Sequence, residues 1–138
     1  MKNLERTLKI LDTFDLDTSQ YCIVSSGSLA ARGIRDCNDL DIITTNKLWE
    51  NLKLKYPDHI KVVPKICTVI SFGEVEFLGE FTDSNEPKYS SEYQIETADI
   101  INGKRYQNLE IIKYYKKANA REKDLKDLEL IEQYENIL

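Results

Sequence analysis

The sequence predicts an α/β (α+β) fold, a mixed β-sheet flanked by helices. Two observations carry this: apolar strand-like runs alternate with amphipathic helical segments, and one pair of strand runs is separated by a lone glycine, the signal of an antiparallel hairpin. The 138 residues form one domain over 1–138, long enough for a single core and too short for two ordinary ones.

The elements follow in order. Leu4, Leu8, Leu11 and Phe14 recur at helical spacing, which predicts an amphipathic helix over 3–14. It carries acids and does not read as a signal peptide. After the turn-like "DLDTSQ", the run "YCIVSS" is a short buried strand, and "SLAAR" (28–32) a short helix ended by Gly33. A second strand is "DLDIITT". Asn46 caps a helix through "KLWENLKLKY", which Pro57 ends. "IKVVPKICTVISF" and "EVEFLGEF" are strands flanking Gly73, most simply one hairpin. Residues 82–93 are polar and carry the weakest signal for regular structure. "ADIINGKRYQ" holds an Asn-Gly turn. Asn108 caps "LEIIKYYKKANA", and the last helix, over 121–138, presents Leu125, Leu128, Ile131 and Tyr134 on one face.

Composition narrows the function classes. A net charge of −5 argues against general charge-driven binding to nucleic acid. No apolar run is long enough to span a membrane. Cys22, Cys37 and Cys67 share no CxxC spacing and read as free, mostly buried thiols of a cytoplasmic protein. His59 is the only histidine, which excludes a zinc site built on two. A Ser-His-Asp triad would rest on that one residue, and no nucleophile elbow accompanies it.

The segment "SSGSLAARGIRDCNDLDII" (25–43) carries the chemistry. A strand that ends in small residues and runs into a helix leaves backbone N–H groups that attract phosphate. Gly27 would let a phosphate approach the backbone, and the Ser28 hydroxyl would donate to it. The same small residues also suit plain packing, and the spacing is neither a P-loop nor a dinucleotide fingerprint. Asp39 and Asp41 then stand two apart in an apolar strand, so they project from one face, roughly 6.6–6.8 Å apart along the chain. Two such carboxylates repel unless a cation lies between them; magnesium is the natural occupant, and a pair of ions serves phosphoryl transfer. The bland alternative is a wet edge paired with Arg32 or Arg35.

A third acid would complete the site. Val75, Phe77 and Phe81 read as one face of their strand, and Glu74, Glu76, Leu78 and Glu80 as the other. Glu76 sits mid-strand among apolar neighbours, where an acid is least expected without a role. Arg32 and Arg35 are candidate phosphate ligands. Lys117 and Arg121 are candidates for the acceptor side, against a solvated helix face with pairs such as Lys123–Asp127. Tyr93, Tyr106, Tyr114 and Tyr115 stack a base or simply bury their rings, and Trp49 reads as core.

Gly27-Ser28 followed after ten residues by Asp39-Leu40-Asp41 resembles the core motif of the polymerase-β-type nucleotidyltransferase superfamily. The chain looks like small stand-alone bacterial and archaeal proteins of that fold. It is similar to the transferase domain of AbiEii-type toxins, whose R-x-K-D-x-x-D segment is matched by Arg121, Lys123, Asp124 and Asp127. The resemblance spans roughly 20–45 and 95–135. It implies a nucleotidyltransferase fold and transfer of a nucleotide monophosphate from a nucleoside triphosphate such as ATP to a hydroxyl of an RNA, protein or small molecule. Gly27 and Ser28 would then hold phosphate, Asp39 and Asp41 two magnesium ions, and Glu76 would be the third acid, where many members have Asp. The rivals are a non-catalytic nucleotide-binding or partner-binding module on the same fold, as in a toxin–antitoxin or defence pair, and a D-x-D glycosyltransferase. The "GS" turn and the short chain count against the last.

Overall fold

The structure, a computed structural model, describes residues 1–82 and 87–138. Seven strands among these form one mixed sheet: β1 (Tyr21–Val24), β2 (Leu40–Thr44), β3 (Ile60–Val63), β4 (Cys67–Ser71), β5 (Val75–Gly79), β6 (Asp99–Ile101) and β7 (Lys104–Tyr106), in the order β3-β4-β5-β2-β1-β7-β6. β1 runs antiparallel to β2 and parallel to β7, and β2 runs parallel to β5. Six α-helices accompany the sheet: α1 (Lys2–Asp12), α2 (Ser26–Ala31), α3 (Asn46–Lys55), α4 (Ser91–Glu96), α5 (Leu109–Asn119) and α6 (Glu122–Ile137). None among the described residues is long and apolar enough to cross a membrane.

Alternation along the strands sorts the side chains. Ile23, Leu40, Ile42, Val75 and Phe77 are wholly buried in the main core, with Leu4 and Leu11 of α1 and Trp49 and Leu52 of α3. The opposite face carries Cys22, Val24, Ile43 and Leu78, covered by Ile95 of α4. Asp41 and Glu76 share this second face, because Val24 pairs with Asp41 and Asp41 with Glu76 in register. Phe81 packs there too, beside Leu78, not with Val75 and Phe77 as alternation predicts. Glu80 has a φ of 51° and breaks the extended run just before it.

Several local signals read true. Asn108 Oδ1 accepts from the Ile111 N–H at 2.9 Å and caps α5. Asn102 and Gly103, with φ of 49° and 81°, form the turn between β6 and β7 that an Asn-Gly pair favours. Others move. Thr45, not Asn46, caps α3: its Oγ1 accepts from the Leu48 N–H at 3.3 Å. The run from Ile60 is two strands, turned at Pro64–Ile66 where Lys65 has a φ of 68°, so β3, β4 and β5 form a meander. Residues 91–96 are a helix capped by the Ser90 hydroxyl; the stretch read as irregular includes residues 83–86, which lie outside the described residues.

The last helix is displaced most. Leu125 is 52% exposed, while Asp124 and Asp127 are buried with Ile131. The buried face keeps Ile131 but takes Asp124 and Asp127 in place of Leu125, and ion pairing makes that exchange possible.

Candidate functional site

β1 ends in a turn that the sequence does not make cheaply. Ser25 has φ 58° and ψ −128°, a backbone conformation that side-chain-bearing residues rarely adopt. Gln107 stabilises it by accepting the Ser25 N–H on Oε1 at 2.9 Å. The amides of Ser28 and Leu29 turn back onto the Ser25 carbonyl, while that of Ser26 has no acceptor among the described residues.

Gly27 and Ser28 lie inside α2, which begins at Ser26 rather than Ser28, and both are buried. A Cβ on Gly27 would stand 2.6 Å from Ile23 Cγ2 and 2.8 Å from Leu40 Cδ1, so this glycine permits helix–sheet contact. The Ser28 hydroxyl donates to the Gln107 carbonyl at 2.7 Å and accepts from Arg32. Its one hydrogen is here committed to that structural bond. Arg32 is likewise committed: its guanidinium is nearly buried and pairs with Asp99. Arg35 lines the cleft but forks onto Asp127 at 2.6 and 2.8 Å. Each of these two arginines, both candidate phosphate ligands, thus already holds a carboxylate in this structure.

The acids differ. Asp39, Asp41 and Glu76 make no hydrogen bond or ion pair with any described residue. Of the three glutamates on this stretch, Glu74 pairs with Arg6 and Glu80 with Lys53 and the Trp49 indole, which leaves Glu76 unpaired. Burial, then the charge of Glu76, then that of Asp39 push the Asp41 carboxyl up to about 6. Burial followed by Asp41 and Glu76 also raises the Cys67 thiol. The second sheet face therefore carries a local excess of negative charge.

Opposite this wall stand cations. A cavity of about 260 Å³ is lined by Ser25, Ser26, Asp39 and Asp41 on one side and by Lys116, Arg121 and Lys123 on the other. Lys117, the lysine singled out from the sequence, is exposed and does not line this cleft; its neighbour Lys116 does, and is buried. A helix turns by about 100° per residue, so adjacent lysines cannot share a face. Lys116 Nζ lies 2.8 Å from Asp127 and 3.6 Å from Asp124. Arg121 reaches Asp124 at 2.7 Å, and the Asp124 carboxylate also accepts the Arg121 N–H at 3.1 Å. This is a buried ion network, not the solvated helix face with a Lys123–Asp127 pair. Burial opposes the charge on Asp127, but Arg35 and Lys116 outweigh it and hold the carboxyl below its usual range. Lys123 has no partner among the described residues.

Magnesium fits this donor set. As the side chains stand, no three acids, histidines or cysteines among the described residues form a metal cage. Magnesium does not need one: it binds through one or two carboxylates and completes its shell with water and substrate phosphate. Unpaired, mutually repelling carboxylates are the groups such an ion relieves.

Sequence comparison finds no matching family model and no matching curated protein. Solved structures do match. A crystal structure of a candidate nucleotidyltransferase from Thermotoga maritima aligns over 99% of this chain and 94% of that chain, with a TM-score of 0.52 and 16% identity. ANT(2″)-Ia in complex with adenylyl-2″-tobramycin aligns over 98% of this chain and 94% of that chain, with a TM-score of 0.55 and 17% identity. The chain is similar to both in fold, a mixed α/β architecture of the nucleotidyltransferase type.

Proposed function

We propose that the cleft between the start of β2 and the α5–α6 pair, with Glu76 of β5 beside it, binds a magnesium nucleoside triphosphate and transfers its nucleotide monophosphate to a hydroxyl of an RNA, protein or small molecule. One observation carries the reading: Asp39 and Asp41, which have no hydrogen bond or ion pair among the described residues, line a cavity with Lys116, Arg121 and Lys123, and Glu76 stands beside Asp41 on the neighbouring strand. The Arg121–Asp127 segment that contributes to the cationic wall is the one whose sequence resembles AbiEii-type transferase domains.

In this reading Lys123 and the Ser26 N–H receive the β- and γ-phosphates, while Arg121, held by Asp124, adds positive charge to the cavity wall. Glu76 takes the proton of the acceptor hydroxyl as its oxygen attacks the α-phosphorus. The bond from the α-phosphorus to the bridging oxygen of the β-phosphate breaks, and pyrophosphate leaves. Magnesium, held by Asp39 and Asp41, would neutralise phosphate charge. The residues otherwise orient and bind, which is most of what in-line phosphoryl transfer requires.

A thermal-shift screen with magnesium and ATP, CTP, GTP or UTP tests this, with Asp39→Asn/Asp41→Asn as control, followed by incorporation of labelled nucleotide. A shift that needs magnesium and both aspartates is expected; none with any nucleotide overturns the reading. Ser28 and Arg32 are spent on structural bonds. The proposed base Glu76 is not among the residues lining the cleft, which favours, as a second reading, a module that binds nucleotide without turnover; it would show the shift and no incorporation.

A further inference from the structure

A second cavity, of about 430 Å³, opens on the same sheet face as the acids. Its floor holds Val24, the register partner of Asp41, with Ile43 and Leu78, each two residues beyond an acid on its own strand. A smaller cavity shares Ser25 and Lys116 with the acid cleft and Tyr115 and Gln107 with this one, so it lies between the two.

Its wall is aromatic. Tyr114 and Tyr115 line it, with Tyr89 packed edge-on to both at 5.6 and 6.1 Å. The Lys88 ammonium sits 4.4 Å from the centre of the Tyr114 ring. No aspartate or glutamate is among the described lining residues, so a polycation would find no counter-charge there.

Two buried amides complete the lining. Gln107 spends Oε1 on the Ser25 N–H and one Nε2 hydrogen on Gln94 at 2.7 Å. Gln94 gives one Nε2 hydrogen to the Tyr89 carbonyl at 3.1 Å. A primary amide has two donor hydrogens. Each glutamine therefore retains one N–H with no acceptor among the described residues, although both side chains are over nine-tenths buried. Apolar floor, tyrosine faces and spare amide donors suit a flat ring whose edge carries hydrogen-bond acceptors.

We propose that this cavity seats a planar, uncharged heteroaromatic ring, either the base of the donor nucleotide or a ring of the acceptor. The assignment rests on the adjoining cleft being the nucleotide site. The test compares magnesium with ATP, CTP, GTP or UTP, magnesium with ring-free tripolyphosphate, and the four nucleosides alone, by calorimetric titration. Each is run on the unaltered chain and on Ala118→Trp, which fills the cavity from an exposed position on α5; circular dichroism checks that the variant is folded.

At least tenfold tighter binding of one nucleotide than of tripolyphosphate is expected, with that gap lost in Ala118→Trp and tripolyphosphate binding unchanged. This places the donor base in the cavity. Nucleotide and tripolyphosphate binding equally, with a nucleoside whose binding Ala118→Trp abolishes, supports the site and assigns it to the acceptor. Tripolyphosphate and nucleotides both failing to bind overturns the nucleotide reading of the cleft; nucleoside binding sensitive to Ala118→Trp would still support the ring site. No ring-containing ligand sensitive to Ala118→Trp overturns the ring site itself.

Discussion

Gln107 Oε1 accepts the backbone N–H of Ser25 at 2.9 Å, joining residues 82 apart in the chain. Gln107 follows β7 directly, and its own N–H donates to the Ile23 carbonyl at 2.8 Å, so backbone and side chain grip both ends of the same turn. The strained Ser25 is thereby held at the mouth of the cleft.

This bond predicts a coupling. Gly adopts the Ser25 conformation without strain, so Ser25→Gly is expected to stabilise the chain by about 0.5–1 kcal/mol. Gln107→Met is expected to destabilise it by about 1–3 kcal/mol. In the double variant the loss at Gln107 should shrink by about 0.5 kcal/mol or more, because the turn no longer needs holding. Urea melts of the four proteins measure this; strict additivity would show that Gln107 does not hold the turn.

The raised Asp41 carboxyl gives a pH dependence of definite sign. Its folded value of about 6 lies above the ordinary 3.8, so the folded state holds this proton more tightly. Its contribution to stability therefore falls as pH rises from about 4 to about 6 and stays low above that. Asp41→Asn should add about 1–3 kcal/mol at pH 7.5 and little at pH 4. Equal gains at both pH values would contradict the repulsion argument, and added magnesium should reduce the gain at pH 7.5.

Asp127 and Lys123 separate stability from binding on the same helix. Asp127→Asn removes the buried partner of Arg35 and Lys116 and should cost about 2–4 kcal/mol. Lys123→Ala removes no contact among the described residues and should change stability by less than about 0.5 kcal/mol. It should nonetheless weaken magnesium nucleotide binding about tenfold. Unchanged affinity in Lys123→Ala would remove that lysine from the site.

Gly27 tests which role the small residue serves. A methyl at this position meets Ile23 and Leu40 inside normal contact distance, so Gly27→Ala should cost about 1–3 kcal/mol. The loss should be present with no nucleotide in solution. A variant as stable as the parent, but with impaired nucleotide binding, would return Gly27 to a phosphate-approach role.

Local chemistry was legible where one or two residues decide the outcome. The caps at Ser90 and Thr45 show the limit: a hydroxyl is a cap only if a helix follows, and α4 has too little apolar periodicity to announce itself. Ile95 is its one buried large apolar residue, and it earns that place by covering Cys22, Val24 and Ile43, which are distant in sequence. Period-two alternation predicted Asp39 and Asp41 on one strand face, but β2 begins at Leu40 and Asp39 lies in the bend before it. Nor did alternation reveal that β5 lies beside β2 with Glu76 level with Asp41.

What the sequence determined by itself was the mixed α/β class, the turn residues and the helix at Asn108, since each follows from periodicity, bonds and torsions along short stretches of chain. Only the tertiary structure decided that Ser28 and Arg32 are spent on structural bonds, that Lys116 rather than Lys117 lines the cleft, and that Asp124 and Asp127 are buried in place of Leu125. These outcomes depend on which charge meets which across the folded chain. A buried carboxylate is unfavourable alone and stable once Arg35 and Lys116 reach it, and no local pattern encodes that meeting.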